Sequence, residues 1–524
     1  MAFAGFDGKN WIARAPGLMP FIAWHHGSMG ESDKKKFRWQ YVTRACLCLA
    51  CAYVLLLIPD GAPPRSPGAG NKPHEWNRQK FWDSLKDSFV QARSTDKNTV
   101  SNNVARLLDD SRRLLGGITN GPAVSALDPR WPDLEINVFK LAVLVGADPG
   151  HLPEFAGLVN DLRREAKQQS CRWDLNSEPA RRCLYRLLFG SRMAMEEVLL
   201  QNPEAAVQPP AEVEIEPSQT PSLVFRGVTL HSGDILVSRG DKPASALISR
   251  GNDYPGSFSH VALLHVDSMT GAACVIQALI EKGVVVTPLE EYSKDRKLRF
   301  MVLRPRADLN AMAADPQLPH KAAALALQEA GARHTPYDFA MDYRDHSALF
   351  CSEVVSAAYE RFGMRLWMGM SHISSPTLTA WLSSLGVRDF ETQEPADLEY
   401  DPQLRVVAEW RGASDFWQAH LDDAVTDAML ANAKPGQSLP FNHLKLPLAR
   451  VAKAYSVFLN WFGRRGPIPE GMSATTALRA DNYSADHAAI KGRLLALAAA
   501  FRETHHCSPP YWELIRLANQ ARRE

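Results

Sequence analysis

Between Val224 and Pro305 the chain carries six short apolar runs, VFRGVTL, DILVSRG, HVALLHV, CVIQALI, GVVVTPL and RFMVLRP, separated by clusters of Gly, Asp and Ser. Runs of this length bounded by turn residues read as β-strands. On both sides the periodicity changes. Val104, Leu107, Leu108, Leu114 and Leu115, followed by Val138, Leu141, Val143 and Leu144, recur at helical spacing before the strands. After them the pattern turns helical near His320 and Ser347, and beyond Gly412 it becomes Ala-rich, as in HAAIKGRLLALAAAF. A β-rich block between helical blocks implies an α+β fold, and 524 residues allow more than one folding unit.

Two Pro-rich stretches punctuate the chain, GAPPRSPGAGNKP at Gly61–Pro73 and NPEAAVQPPAEVEIEPSQTPS at Asn202–Ser222. They divide it into an N-terminal segment (1–40), an apolar helix (41–59), a flexible linker (60–74), a helical domain (75–201), a Pro-rich linker (202–222), a β-rich domain (223–411) and a helical C-terminal region (412–524). The run Ala45–Ile58, ACLCLACAYVLLLI, holds no charge, and with Tyr41 and Val42 it approaches the minimum length of a membrane span. Arg44 would snorkel to the headgroups beside Lys34, Lys35, Lys36 and Arg38, a basic cluster that the positive-inside rule keeps in the cytoplasm. The expectation is a single-pass membrane protein with everything after Pro59 on the periplasmic side. A buried core helix is the alternative for so short a run. A cleaved signal peptide fits less well, because the charged region is long and no small-x-small site is followed by an obvious mature start.

Charge and cysteine content remove other classes. The 59 Lys and Arg nearly cancel 58 Asp and Glu, so no field draws the chain to nucleic acid. Eight cysteines make no disulfide framework, the single CxxC at Cys48–Cys51 has no second pair, and His505, His506 and Cys507 are too adjacent to converge on one ion. Neither metal nor cofactor is expected. Cys171 and Cys183 could close a disulfide in an oxidising compartment.

Nucleophilic chemistry points to SALFCSEVVSAAYERF, Ser347–Phe362, where Phe350, Val354, Val355, Ala358, Tyr359 and Phe362 keep helical spacing. With Ser347 as cap, Cys351 falls in the first helical turn, where the dipole and free N–H groups would lower the thiol pKa and help hold an oxyanion. A base must sit beside the thiol. His260 opens the strand HVALLHV after a Gly/Ser turn, and Gln277 on the following strand could orient the imidazole through its second nitrogen. His265 competes, but an odd offset of five places it on the opposite strand face.

The order GDILVSRG, FSHVALL, VIQALIEKGVVVTPLEEY, TPYDFAMDYRDHSALFCSEVVSAAY resembles the permuted NlpC-type papain-like cysteine hydrolases, YiiX-like proteins among them, and more distantly lecithin retinol acyltransferase. The likeness spans about Val224 to Trp410. It implies a circularly permuted papain-like domain in which Cys351 is the nucleophile, His260 the base and Gln277 the third polar residue, often Glu in the family. Gln can fix the tautomer but cannot stabilise an imidazolium as a carboxylate would. By the same resemblance Tyr337 lines the substrate cleft beside Asp338, Asp234 of the Gly-Asp pair is a family landmark read either as substrate-binding or, more readily, as a turn residue, and Glu353 stands behind the site or serves the structure. The implied reaction is acyl transfer through a thioester on Cys351. A cell-wall peptide amide is the lead substrate and a lipid acyl ester, hydrolysed or transferred, the alternative. An antibacterial effector, or a binding module that has lost activity, would use the same fold.

Overall fold

The computed structural model of the chain describes residues 31–60, 68–75, 78–205, 211–212 and 214–524. Most of the expected 1–40 segment and the middle of both expected linkers lie outside them. The first elements are helical: α1 (Glu31–Leu56), α2 (Arg78–Ser94), α3 (Lys97–Thr119), α4 (Arg130–Ala147), α5 (Leu152–Ser170) and α6 (Glu178–Gln201). Asp96 caps α3 by accepting from the Thr99 N–H at 2.9 Å, which satisfies one of the helix's unpaired donors. Helices α2 to α6 turn their periodic apolar positions inward onto one core around Trp131, Phe155, Leu184 and Val198.

The strands follow: β1 (Ala211–Glu212), β2 (Ser222–Phe225), β3 (Val228–His231), β4 (Ile235–Gly240), α7 (Pro243–Arg250), β5 (His260–Val266), β6 (Ala273–Leu279), β7 (Gly283–Pro288), α8 (Leu289–Tyr292) and β8 (Lys297–Pro305). Then come α9 (Asn310–Ala314), α10 (Leu318–Ala332), α11 (Cys351–Glu360), β9 (Ser371–His372), α12 (Pro376–Leu385), β10 (Glu391–Thr392) and β11 (Leu404–Trp410). Helices α13 (Ala413–Ala431), α14 (Leu446–Asn460), α15 (Ala474–His505) and α16 (Tyr511–Arg523) close the chain.

A seven-stranded antiparallel sheet runs in the order β1-β11-β8-β4-β5-β6-β7. Alternation along β5 sends Val261 and Leu263 to the face covered by α10 and α11, and Ala262 and Leu264 to the face covered by β3, Leu289 and Tyr292. The stretch VFRGVTL is not one strand. Arg226 and Gly227 both take positive φ, 48° and 84°, and fold it into the separate hairpin β2–β3.

Two other expectations are corrected, and one possibility left open is answered. Helix α1 has 26 residues, yet no described helix is long and apolar enough to cross a membrane. Its charge-free run, Ala45–Ile58, rises only about 21 Å against a hydrocarbon core of about 30 Å, and the turns before it carry Lys and Arg. The described end of the expected flexible linker is pinned down: the N–H groups of Ala69, Asn71 and His74 donate to Ile373 O, Ser374 Oγ and Asp253 O at 3.1, 3.0 and 2.8 Å. Cys171 and Cys183 are both free thiols, Cys171 lying 2.6 Å from the Arg306 guanidinium.

Buried ion pairs join the helical flanks to the sheet. Arg299 of β8 reaches Glu196 of α6 at 2.6 Å and Asp423 of α13 at 3.2 Å, and Arg239 of β4 reaches Asp423 at 2.9 Å. Arg163 of α5 and Arg192 of α6 both pair with Glu399, at 2.7 and 2.6 Å, and with Glu409 of β11.

Candidate active site

Residues Phe350 to Glu353 decide where the nucleophile stands. Phe350 is the N-cap of α11, and the Glu353 carboxyl reaches back to accept its N–H at 2.8 Å, so Glu353 caps the helix in place of the expected Ser347. Cys351 is therefore the first residue of α11, where the amides lack intrahelical partners. The helix packs on β5 and β6.

The strands make room for the sulfur. The β5–β6 ladder runs from Val266↔Ala273 only to Leu263↔Ile276. Beyond that point β6 stays paired with β7, while β5 stays paired with β4 as far as Ser238↔His260. Val261 N–H is thus left without a β6 partner, and it donates to the Cys351 sulfur. The thiol sits at the residue next to His260, at the splayed mouth of two strands.

His260 is oriented from its far side. Its Nε2 lies 2.7 Å from Gln277 Oε1, and the Gln277 amide nitrogen lies 3.1 Å from Thr287 Oγ1. Thr287 pairs with Val275 in the register, which makes it the diagonal neighbour of Gln277 across β6–β7. Because the amide donates to Thr287, its oxygen must face the imidazole. Nε2 then carries the ring proton and Nδ1 keeps the lone pair that can accept a proton.

Electrostatics correct one expectation. Cys351 is 5% exposed, and burial pushes its thiol up to about 11, outweighing the Val261 amide contact. Burial also holds the His260 imidazole down to about 3. At neutral pH the pair is thiol and imidazole, not thiolate and imidazolium.

The remaining expected residues divide. Tyr337 lies near enough to Cys351 and Glu394 for its phenol to feel both charges, stacked edge-on against Phe339 at 5.2 Å. Its segment is held by Gly283, whose φ of 66° and 2.1 Å approach of a Cβ to Thr335 O leave no room for a side chain, while Val284 N–H donates to Thr335 O at 2.9 Å. Asp338 accepts from Ala340 and Asp342 N–H, both at 2.7 Å, and shapes that turn. Asp234 stands elsewhere. Both its oxygens bond Arg304, at 2.7 and 2.8 Å, and one accepts His231 N–H at 2.8 Å. It sits beside Gly233, whose carbonyl takes the Tyr359 hydroxyl at the far end of α11 from Cys351. Its carboxylate is an internal tie and makes no part of the cleft. His265 stacks on His320, with ring centroids 5.3 Å apart.

Thr287, Glu394 and Tyr292 were not singled out from the sequence. Glu394 is buried with Oε2 unpartnered among the described residues, and burial raises its pKa well above the carboxylate range. Tyr292 lies by Ser238, the register partner of His260. No group of three His, Cys, Asp or Glu among the described residues is placed to hold a metal ion.

Residues 229–408, about a third of the chain, match the model of a family described as "permuted papain-like amidase enzyme, YaeF/YiiX, C92 family". This segment belongs to the permuted papain-like family. No curated protein and no solved structure matches the chain. The permuted papain-like domain so defined runs from β3 into β11 and contains Cys351, His260 and Gln277. Its family makes a papain-like cysteine hydrolase the kind of enzyme expected here.

Proposed function

We propose that the domain is a cysteine amidase that works through an acyl-thioester on Cys351. Two observations carry the reading: the Val261 N–H on the Cys351 sulfur, which sets the thiol at the residue next to His260, and the contacts that run from His260 to Gln277 and from Gln277 to Thr287. The sulfur attacks the carbonyl carbon of an amide while His260 Nδ1 accepts the thiol proton. The free first-turn N–H of Cys351 faces the developing oxyanion. As the C–N bond breaks, His260 returns the proton to the leaving nitrogen. Water then attacks the thioester carbon, gives a proton to His260, and the C–S bond breaks to restore the thiol.

A peptide amide of the cell wall is the lead substrate, supported by the amidase character of the family. The exposure of the full-length protein to muropeptides and, separately, to phospholipid vesicles, with products read by mass spectrometry, tests this. Released peptide from muropeptides, lost in Cys351→Ala, is expected. Lysolipid in place of peptide would transfer the reading to lipid acyl esters, and no product from either would remove the activity.

A further inference from the structure

Helix α14 carries two apolar faces. Leu446, Ala449 and Ser456 are buried, the helix packing on α15. A second stripe, Leu448, Val451, Tyr455, Phe458 and Phe462, recurs at spacings of three and four and faces solvent. Val451 is 59% exposed, Phe458 50%, Phe462 66% and the adjoining Trp461 78%. No described element covers this stripe. The C-terminal end of α1 docks beside it: the Tyr53 hydroxyl donates to Leu444 O at 3.3 Å, and Arg450 donates to Ile58 O at 2.5 Å. Leu47, Leu55 and Ile58 of that segment are also exposed, so the two elements expose neighbouring apolar surfaces.

Charge decides what fits there. From His443 to Pro469 the chain has no Asp or Glu but has Lys445, Arg450, Lys453, Arg464 and Arg465, and from Lys34 to Pro59 it again has no acid. Arg464 and Arg465 are exposed and form no ion pair among the described residues. Neighbouring acids are engaged, Asp60 with Arg450 at 2.9 Å, Asp481 with Lys445 at 4.0 Å and Glu470 with His334 at 2.8 Å. A second copy placed on this face would bring basic rim against basic rim. Aromatic and aliphatic side chains flanked by the exposed Arg464 and Arg465 suit an interface where apolar groups enter the acyl boundary and cations meet anionic headgroups.

We propose that the α14 stripe, with the end of α1, is a peripheral docking surface for an anionic phospholipid bilayer. The protein lies on the membrane through it. The proposal is independent of the catalytic reading, since neither element contains a residue of the cysteine site.

Co-sedimentation of the full-length protein with vesicles of phosphatidylcholine alone, and of phosphatidylcholine with phosphatidylglycerol, tests it. Binding to the anionic vesicles is expected to exceed binding to the neutral ones and to fall as salt rises. Trp461→Ser with Phe462→Ser should weaken binding at least about tenfold. Arg464→Glu with Arg465→Glu should remove the preference for anionic lipid, and Cys351→Ala should bind as the parent does. Circular dichroism checks that each variant folds. Three results overturn the proposal: no binding to either vesicle, binding unchanged in both α14 variants, or a protein dimeric in solution that becomes monomeric in the Trp461, Phe462 variant and ignores vesicles.

Discussion

Burial leaves both members of the candidate pair uncharged: the His260 imidazole gains its proton only near pH 3 and the Cys351 thiol loses its own only near pH 11. Gln277 fits this state, since it accepts from a neutral imidazole and adds no negative charge that would favour an imidazolium. Two consequences are measurable. Alkylation of Cys351 by iodoacetamide is expected to rise about tenfold per pH unit from pH 6 to 9, following the thiolate fraction. A rate that is high and flat below pH 7 would mean a preformed ion pair instead. Thr287→Val should leave KM unchanged and lower kcat roughly tenfold, because the amide of Gln277 loses the contact that keeps its oxygen on His260. Steady-state kinetics of the purified variant decides this, and a kcat equal to the parent's would show that Gln277 holds its orientation without Thr287. The positions of Cys351 at a helix start and of His260 and Gln277 on neighbouring strands were legible in the sequence because each sits in a regular element with recognisable flanks. Thr287 was not, since its role depends on strand register, and neither was Val261, whose part is played by a backbone amide at the end of a ladder. Asp234 stayed open between substrate and turn because a Gly-Asp turn looks the same whether its carboxylate faces substrate or, as here, Arg304.

Among the elements, α11 shows how much a helix start depends on one side chain. Burial pushes the Glu353 carboxyl up to about 9, so in the native state it holds a proton that the unfolded chain releases above its ordinary 4.5. Its contribution is present below that ordinary value and declines as pH rises toward 9. Glu353→Gln keeps an oxygen for Phe350 N–H and should change stability by no more than about 0.5 kcal/mol, while Glu353→Ala should cost about 1 kcal/mol. Urea unfolding at pH 7 compares them, and equal losses would show that the cap bond contributes nothing. Ser347 reads as a better cap by residue type alone, but the chain enters the helix three residues later, where a carboxyl can fold back. The strands β4 to β8 were legible as apolar runs between turn residues. The β2–β3 hairpin was not, because its two-residue turn, Arg226-Gly227, interrupts VFRGVTL too briefly to break the pattern.

Over the whole molecule, the Pro-rich boundaries suggested separable blocks, and the side chains tie those blocks together. Arg299, Glu196, Asp423 and Arg239 are buried where α6, α13 and the sheet meet, a contact between remote segments that local periodicity does not encode. Against the cost of burial, Arg299 and His420 hold the Glu196 carboxyl down to about 2. Its stabilising share is therefore complete above the ordinary 4.5 and is lost as pH falls toward 2. Glu196→Ala leaves Arg299 without this partner and should cost about 3–5 kcal/mol at pH 7, with a shallower acid dependence between pH 4.5 and 2. Thermal unfolding across that range reads both effects. A single cooperative transition shared by the flanks and the papain-like domain is expected in the parent. The central claim, a thioester on Cys351 formed with His260 as base, is tested most directly by mixing the full-length protein with a p-nitrophenyl acyl ester, quenching in acid and mapping the mass. One acyl group on the Cys351 peptide, absent in Cys351→Ala and strongly reduced in His260→Ala, is the predicted result. An unmodified Cys351, or an acyl group on it undiminished in His260→Ala, would contradict it.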